Sequence, residues 1–160
     1  MEILIIILIV LAVYFLAYHK KRKKEFVYSP IEEEYPTDKT MIDIVNEHRA
    51  KLKLSILKSE KNLTELAREQ AYWLELNVRD RAEFEVKGHY FQEDRKDRAN
   101  VKNDTLSFGE ITCYNYVTEK SKLYAYLNSS EHKETLEHPN FTHIGSATTN
   151  RINFIIFAKY

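Results

Sequence analysis

The chain has 160 residues, which is enough for one domain and a short appendage. Its 24 basic and 24 acidic side chains balance, and the one basic cluster, at residues 20–24, directly follows an apolar segment. Nucleic-acid binding is therefore excluded, because neutralising phosphates requires clustered Lys and Arg on the folded domain. The single cysteine, Cys113, also excludes an intramolecular disulfide, so a hydrophobic core must stabilise the domain.

A membrane anchor is predicted at the start of the chain. Residues 3–18 carry no charged side chain, and as a helix they would be roughly 24 Å long at ~1.5 Å per residue, somewhat shorter than the ~30 Å hydrocarbon core of a bilayer. A cleaved signal peptide is disfavoured, because no positive region precedes the apolar segment and no small-residue site follows it. We predict that residues 1–24 form a single-pass transmembrane anchor with a basic flank, and that residues 3–18 lie in the membrane.

Charge around the anchor bears on which side of the membrane the domain lies. Residues 1–24 hold five basic side chains against Glu2, a net charge of +4, so the rest of the neutral chain carries −4. Because Lys and Arg prefer the cytoplasmic side, and here follow the span, the asymmetry favours a cytoplasmic domain. Residues 25–38 contain Pro30, Pro36 and an acidic run without apolar periodicity, which predicts a linker.

Two amphipathic helices are predicted next. The first begins with Thr40 as N-cap, and the second begins with Ser59 as N-cap. The first helix repeats its inward residues at spacings of three and four, at Ile42, Val45, Arg49, Leu52 and Ile56. The second has the strongest stripe in the chain, formed by Leu63, Ala67, Ala71, Leu74 and Val78.

The second half of the domain predicts a sheet. Residues 79–104 are charged and irregular, but residues 108–116 alternate as a strand, with Glu110 on one face and Cys113 on the other. Cys113 is thus expected to be a small buried hydrophobe and not a nucleophile. Thr118 can cap a third helix. Residues 143–160 predict a hairpin whose last strand is apolar on both faces, so it should be central and covered by helices on both sides.

Several of these segments match one ordered series of motifs. The series begins with Asn46, Arg49, Leu54, Leu57, Leu63, Ala67 and Ala71, continues with His89, Gly109-Glu110 and residues 129–133, and ends with Leu136, residues 139–142, Ile144-Gly145 and Phe157. Together they resemble the CAP superfamily of cysteine-rich secretory, antigen-five and pathogenesis-related proteins, whose bacterial members are called SCP-like. From this resemblance we expect residues 39–160 to form a CAP/SCP-like domain. Departures include Lys53 for Gly, Ile111 for Asn and Ser129 where many members carry a second acidic residue.

The resemblance implies both a fold and a site. The fold is α+β, a three-layer α-β-α sandwich with a mainly antiparallel central sheet, here preceded by the transmembrane helix. The site is a cleft that brings His89, Glu110 and His132 together, as ligands for Zn²⁺ or another divalent metal. In an alternative interpretation, Glu110 only orients a histidine through a hydrogen bond.

The function expected from these features is a membrane-tethered binding or interaction module, non-enzymatic or weakly enzymatic, with a His/Glu cleft able to bind a divalent metal. Two alternatives stay open: a metal-assisted, peptidase-like hydrolase with Glu110 as general base, and a lipid- or sterol-binding module. A serine hydrolase is disfavoured, because Ser129 and Ser130 lie outside any Gly-x-Ser-x-Gly elbow. Relatives in the family usually work outside the cell, which opposes the cytoplasmic side favoured by charge, and the protein or lipid partner is left open.

Overall fold

The structure, a computed structural model, describes residues 39–101 and 107–160. The predicted anchor at residues 1–24 and the linker at residues 25–38 lie outside the described residues. Within the two described ranges, no helix combines the length and the apolar character that crossing a bilayer demands.

The described residues form helices and strands in one sequential order. They are α1 (Lys39–Lys51), β1 (Lys58–Ser59), α2 (Lys61–Asn77), α3 (Arg81–Lys87), α4 (Gln92–Arg98), β2 (Phe108–Tyr114), α5 (Glu119–Leu127), α6 (Ser130–Leu136), β3 (His143–Thr148) and β4 (Ile152–Ala158). The α+β class predicted from the sequence is therefore confirmed.

The four strands form one mixed sheet in the order β1-β3-β4-β2. Strand β4 is antiparallel to both β3 and β2, whereas the two-residue β1 is parallel to β3. The sheet was predicted to be mainly antiparallel. It is mixed, because the short β1 runs in the same direction as β3. Strand β2 lies at the edge of the sheet and pairs with β4 along one side only.

Strand β4 lies in the middle of the sheet and is buried along its whole length. Its alternate residues belong to two different clusters, since successive side chains point to opposite faces. One cluster contains Phe154 and Ile156 with the apolar stripe of α2, and the other contains Ile155 and Phe157 with residues of α1, α5 and α6. A strand apolar on both faces and covered by helices on both sides was predicted, and it is confirmed.

Helix α2 lies directly against β3 at Gly145. A Cβ at this position would be 2.2 Å from the carbonyl carbon of Leu63 and 2.3 Å from the amide nitrogen of Thr64. Since both of these are backbone atoms, neither can rotate away, and the close approach of helix and strand requires glycine. The same contact fixes the height of α2 above the sheet.

The boundaries of the first two helices differ from the prediction. Helix α1 already includes Thr40 and ends at Lys51, before a turn in which Lys53 has φ 60°. The predicted stripe therefore continues too far, and Leu52 and Ile56 are exposed. Ser59 belongs to β1, and the N-cap of α2 is Glu60, whose side chain accepts a hydrogen bond from the Asn62 amide.

Candidate functional site

The candidate site is a cavity of about 390 Å³ at the outer edge of β2. Thr112 and Cys113 both line it, and because neighbouring residues of a strand face opposite ways, the cavity must wrap around the edge of the sheet. Its walls come from the end of α3, with Gly88 and His89, and from α5 and α6, with Ala125 and His132. The site therefore joins the two helical layers.

His89 is placed by the end of α3. The amide of Gly88 donates to the Phe84 carbonyl at 2.8 Å and closes the helix. A Cβ on Gly88 would lie only 3.3 Å from Cγ2 of Thr112, so the chain passes close over β2 at this point. The next residue, His89, consequently reaches the neighbouring Glu110, with 3.3 Å between Nδ1 and Oε2.

Glu110 is completely enclosed, with 0% of its side chain exposed. It shares one face of the sheet with Phe154, on the side that α2 covers. Both of its oxygens accept hydrogen bonds from Arg95 of α4, at 2.6 Å from Nε to Oε1 and at 2.8 Å from Nη2 to Oε2. The Arg95 side chain is itself buried, so the ion pair belongs to the interior and not to the surface.

His132 approaches the same cavity from the other helical layer. Ser129 caps α6 and its hydroxyl accepts a hydrogen bond from the His132 amide at 3.4 Å. The ring centroids of His132 and His89 are 6.2 Å apart, and the Tyr126 ring meets His132 edge-on. Burial lowers the pKa of His132, and the neighbouring His89 lowers it further, so His132 is neutral at pH 7.

The structure brings all three sequence-predicted residues, His89, Glu110 and His132, to one place. Among residues 39–101 and 107–160, no group of three or more His, Cys, Asp or Glu side chains has the arrangement of a metal site. Both oxygens of Glu110 accept hydrogen bonds from Arg95, so a divalent ion would have to share them with a guanidinium. The two imidazoles fit as nitrogen donors, but Glu110 does not fit as the third ligand.

Ser129 and Cys113 both line the cavity and carry potentially nucleophilic atoms, but neither has the environment of an activated nucleophile. The hydroxyl of Ser129 accepts from a helix amide, as described above. The thiol of Cys113 is buried on the opposite face from Glu110, and burial raises its pKa. The expectation that Cys113 is a small buried hydrophobe is confirmed.

Sequence reasoning missed Arg95 as a partner of Glu110. Arg95 lies in a stretch of α4 that is almost entirely charged, and such a stretch normally faces solvent. The sequence held one signal that this face of α4 packs inward. Arg95 is four residues from the apolar Ala99, and that spacing puts the two on one helix face. Ala99 is buried, which indicates that this face of α4 packs inward.

Comparisons with known proteins agree with this architecture. The model of the cysteine-rich secretory protein family (CAP) matches residues 42–151. A cysteine-rich secretory protein from Staphylococcus aureus is 19% identical, with a TM-score of 0.60 over 82% of this chain and 40% of its own. An extracellular protein containing an SCP domain from Bacillus anthracis is 18% identical, with a TM-score of 0.64 over 76% of this chain and 40% of its own.

A third solved structure is similar over most of its own length. This outer surface protein from Borrelia burgdorferi is 26% identical, with a TM-score of 0.60 over 76% of this chain and 90% of that one. By contrast, this chain spans only about two fifths of the Staphylococcus and Bacillus structures. A search of the curated proteins gives no match.

Proposed function

The chain belongs to the cysteine-rich secretory protein (CAP) family, and from this premise we propose that it is a membrane-tethered binding module and not an enzyme. The observation that carries the proposal is the cavity at the edge of β2. Its volume of about 390 Å³ lies within the range of roughly 300–1,000 Å³ that is common for ligand sites. Its walls combine apolar surface from Phe84 and Ala125 with polar groups that include His89 and His132.

The chemistry of the cavity supports binding over catalysis. A hydrolase of the serine or cysteine type needs a nucleophile within hydrogen-bond reach of a base. Here the Ser129 hydroxyl caps α6, and the pKa of the Cys113 thiol is raised, which disfavours the reactive thiolate. Glu110, the general base of the peptidase-like alternative, has both oxygens bonded to Arg95.

We further propose that residues 3–18 anchor the domain to the outer side of a membrane. The Borrelia neighbour is described as an outer surface protein and the Bacillus neighbour as extracellular, which favours the outer side over the cytoplasmic side indicated by charge. Protease treatment of intact cells tests this topology. An outer domain is degraded without lysis, whereas protection of residues 39–160 until the cells are lysed would place the domain inside.

A site-specific photo-crosslinker tests the cavity. The photoreactive residue replaces Ala125, which lines the cavity, or the adjacent Tyr124, which is 68% exposed and lies outside it. We expect a covalent adduct at position 125 that is absent at position 124 and is lost in the His89→Ala, His132→Ala double variant. The adduct mass distinguishes a lipid from a protein partner. Equal adducts at both positions would contradict a ligand site in the cavity.

A divalent cation held by His89 and His132 is the second candidate ligand. Two features favour it: the ring centroids are 6.2 Å apart, and His132 is neutral at pH 7, as a metal-binding imidazole must be. Such an ion would add Lewis-acid character to the cavity, while the protein supplies two nitrogen donors. Zinc titration of the purified full-length chain should give an affinity that the His89→Ala, His132→Ala variant loses. An unchanged affinity would exclude this pair as the ligands.

A further inference from the structure

Arg95 is held from four sides. Besides the two bonds to Glu110, its Nη1 donates to Oε1 of Gln70 on α2 and to the backbone carbonyl of Tyr90, each at 2.6 Å. Its guanidinium also lies over the Phe154 ring of β4, with 5.1 Å between Cζ and the centroid. A side chain with this many fixed contacts is preorganised, and it does not swing away at little cost.

We propose that Arg95 is the resident cation of the cleft, so that Glu110 serves as a positioning residue for His89 and not as a metal ligand. The position that a divalent ion would need beside this carboxylate is already filled by a charge of the chain itself. Any metal that enters the cavity is then bound without the Glu110 carboxylate. Arg95 has this role whether or not the cavity binds the ligand proposed above.

The hydrogen-bonding capacity of Glu110 supports this assignment. Oε1 accepts from Nε of Arg95, while Oε2 accepts from Nη2 of Arg95 and from the His89 ring. Each carboxylate oxygen has about two acceptor sites, so Oε2 is saturated and Oε1 has one site left. A divalent ion at that remaining site would lie next to a buried guanidinium, and two like charges in a desolvated place repel strongly.

The arrangement also decides which atom His89 offers to a ligand. A carboxylate only accepts hydrogen bonds, so the bond to Oε2 of Glu110 requires the proton of a neutral His89 to be on Nδ1. The lone pair is then on Nε2, on the other side of a ring that lines the cavity and is 41% exposed. Arg95 thus tunes the cleft, through Glu110, for a ligand with an N–H or O–H donor.

Zinc binding measured by calorimetry tests the proposal on the full-length chain in detergent, after treatment with a chelator. With Arg95 present, we expect the zinc affinity to change less than twofold on Glu110→Gln, because the glutamine carbonyl can still accept the hydrogen bond from His89 and only the carboxylate charge is lost. Arg95→Gln removes the charge and should strengthen zinc binding at least tenfold, and adding Glu110→Gln should abolish that gain. Arg98→Gln is the matched control, because Arg98 lies on the same helix but is exposed and paired with Glu69.

Two results would overturn the proposal. One is a tenfold loss of zinc affinity on Glu110→Gln in the chain that retains Arg95, since Glu110 would then ligate despite its partner. The other is a folded Arg95→Gln variant, checked by circular dichroism, whose zinc affinity equals that of the Arg98→Gln control.

A measurement on the unmodified chain decides the question if the Arg95 variant fails to fold. The Nε–Hε signal of Arg95 in a ¹⁵N–¹H nuclear magnetic resonance spectrum reports its bond to Glu110. We expect equimolar zinc to leave this signal in place. Disappearance or displacement of the Arg95 signal would show that zinc takes the carboxylate, and the proposal would be wrong.

Discussion

The two buried arginines of the domain lie on opposite sides of the sheet and are stabilised in opposite ways. Arg95 is 3% exposed and forms a bidentate ion pair with Glu110. Arg49 of α1 is 0% exposed and forms no ion pair with a carboxylate of residues 39–101 or 107–160. It donates only to backbone carbonyls, at 3.0 Å to Ser55, 2.8 Å to Leu136 and 3.0 Å to His138.

The difference teaches what each side chain does. The carbonyls that bind Arg49 belong to the loop after α1 and to the C-terminal end of α6, where the helix dipole favours a positive charge. One nitrogen, Nη2, has no hydrogen-bond partner within the part of the chain that the structure describes, and burial lowers the pKa of the Arg49 guanidinium. Arg49 thus ties together two chain segments, whereas Arg95 fixes a charge beside a cavity.

The largest effect is expected for Arg95→Leu. Removing the guanidinium leaves Glu110 as a buried, unpaired charge, and such a change costs about 3–5 kcal/mol in the free energy of unfolding. Urea denaturation followed by circular dichroism measures it. The Arg95→Leu, Glu110→Leu double variant should recover most of the loss, because an apolar pair often replaces a buried ion pair without cost. A single variant within about 1 kcal/mol of the original chain contradicts the ion pair.

A smaller loss, about 2–4 kcal/mol, is expected for Arg49→Leu, because three backbone carbonyls lose a charged donor while no charge is left behind. The same denaturation experiment measures it. No second substitution should rescue this variant in the way that Glu110→Leu rescues Arg95→Leu, since the partners of Arg49 are main-chain atoms. Full rescue by Glu137→Leu, at the end of α6, would point to a carboxylate partner and refute the contrast.

Lysine at the two positions sharpens the comparison. Lysine keeps the charge but lacks the planar fork that binds both oxygens of a carboxylate. Arg95→Lys should therefore be more destabilising than Arg49→Lys, by about 1–2 kcal/mol. Arg49→Lys also removes the nitrogen that has no partner. Equal losses at both positions, measured by thermal unfolding, would mean that the fork of Arg95 contributes nothing.

The smallest effect concerns the pH dependence of stability, which His132 in the cavity should produce. Folding lowers the pKa of His132 from its usual 6.5. As the pH drops, His132 therefore takes up its proton at a higher pH in the unfolded chain than in the folded one. The free energy of unfolding should fall as the pH drops below 6.5, and it should stop falling once the pH is below the lowered pKa of the folded chain. His132→Gln should flatten the dependence when chelator is present. An identical pH profile for the variant would contradict the burial effect.

Much of the fold could be predicted because its patterns are periodic. The stripe of α2, from Leu63 to Val78, and the double apolar alternation of β4 each mark a face that must be buried, and both are buried. Thr118 caps α5 as predicted, with a reciprocal bond to Ser121. Periodicity failed at the end of α1, since it does not register the turn at Lys53 that ends the helix.

The site was predictable only in part, and for a different reason. His89, Glu110 and His132 come together as the family resemblance implies. The pairing of Glu110 with Arg95 instead depends on how α4 docks on β2 and β4, which no local pattern encodes. His48 shows the same limit, because no local pattern indicates that it is half-buried and bonded to Glu137 at 2.9 Å. Long-range charge partners have to be read from the structure.

Trp73 is the one tryptophan of the chain, and its place on α2 gives the domain a built-in optical reporter. Its ring meets Phe91 edge-on at 5.1 Å and lies 6.0 Å from the Tyr90 ring, on the turn that leads into α4. Tyr90 also supplies the carbonyl that binds Arg95. We therefore expect indole emission to change when this turn shifts, which offers a dye-free way to test whether a ligand of the cavity moves it.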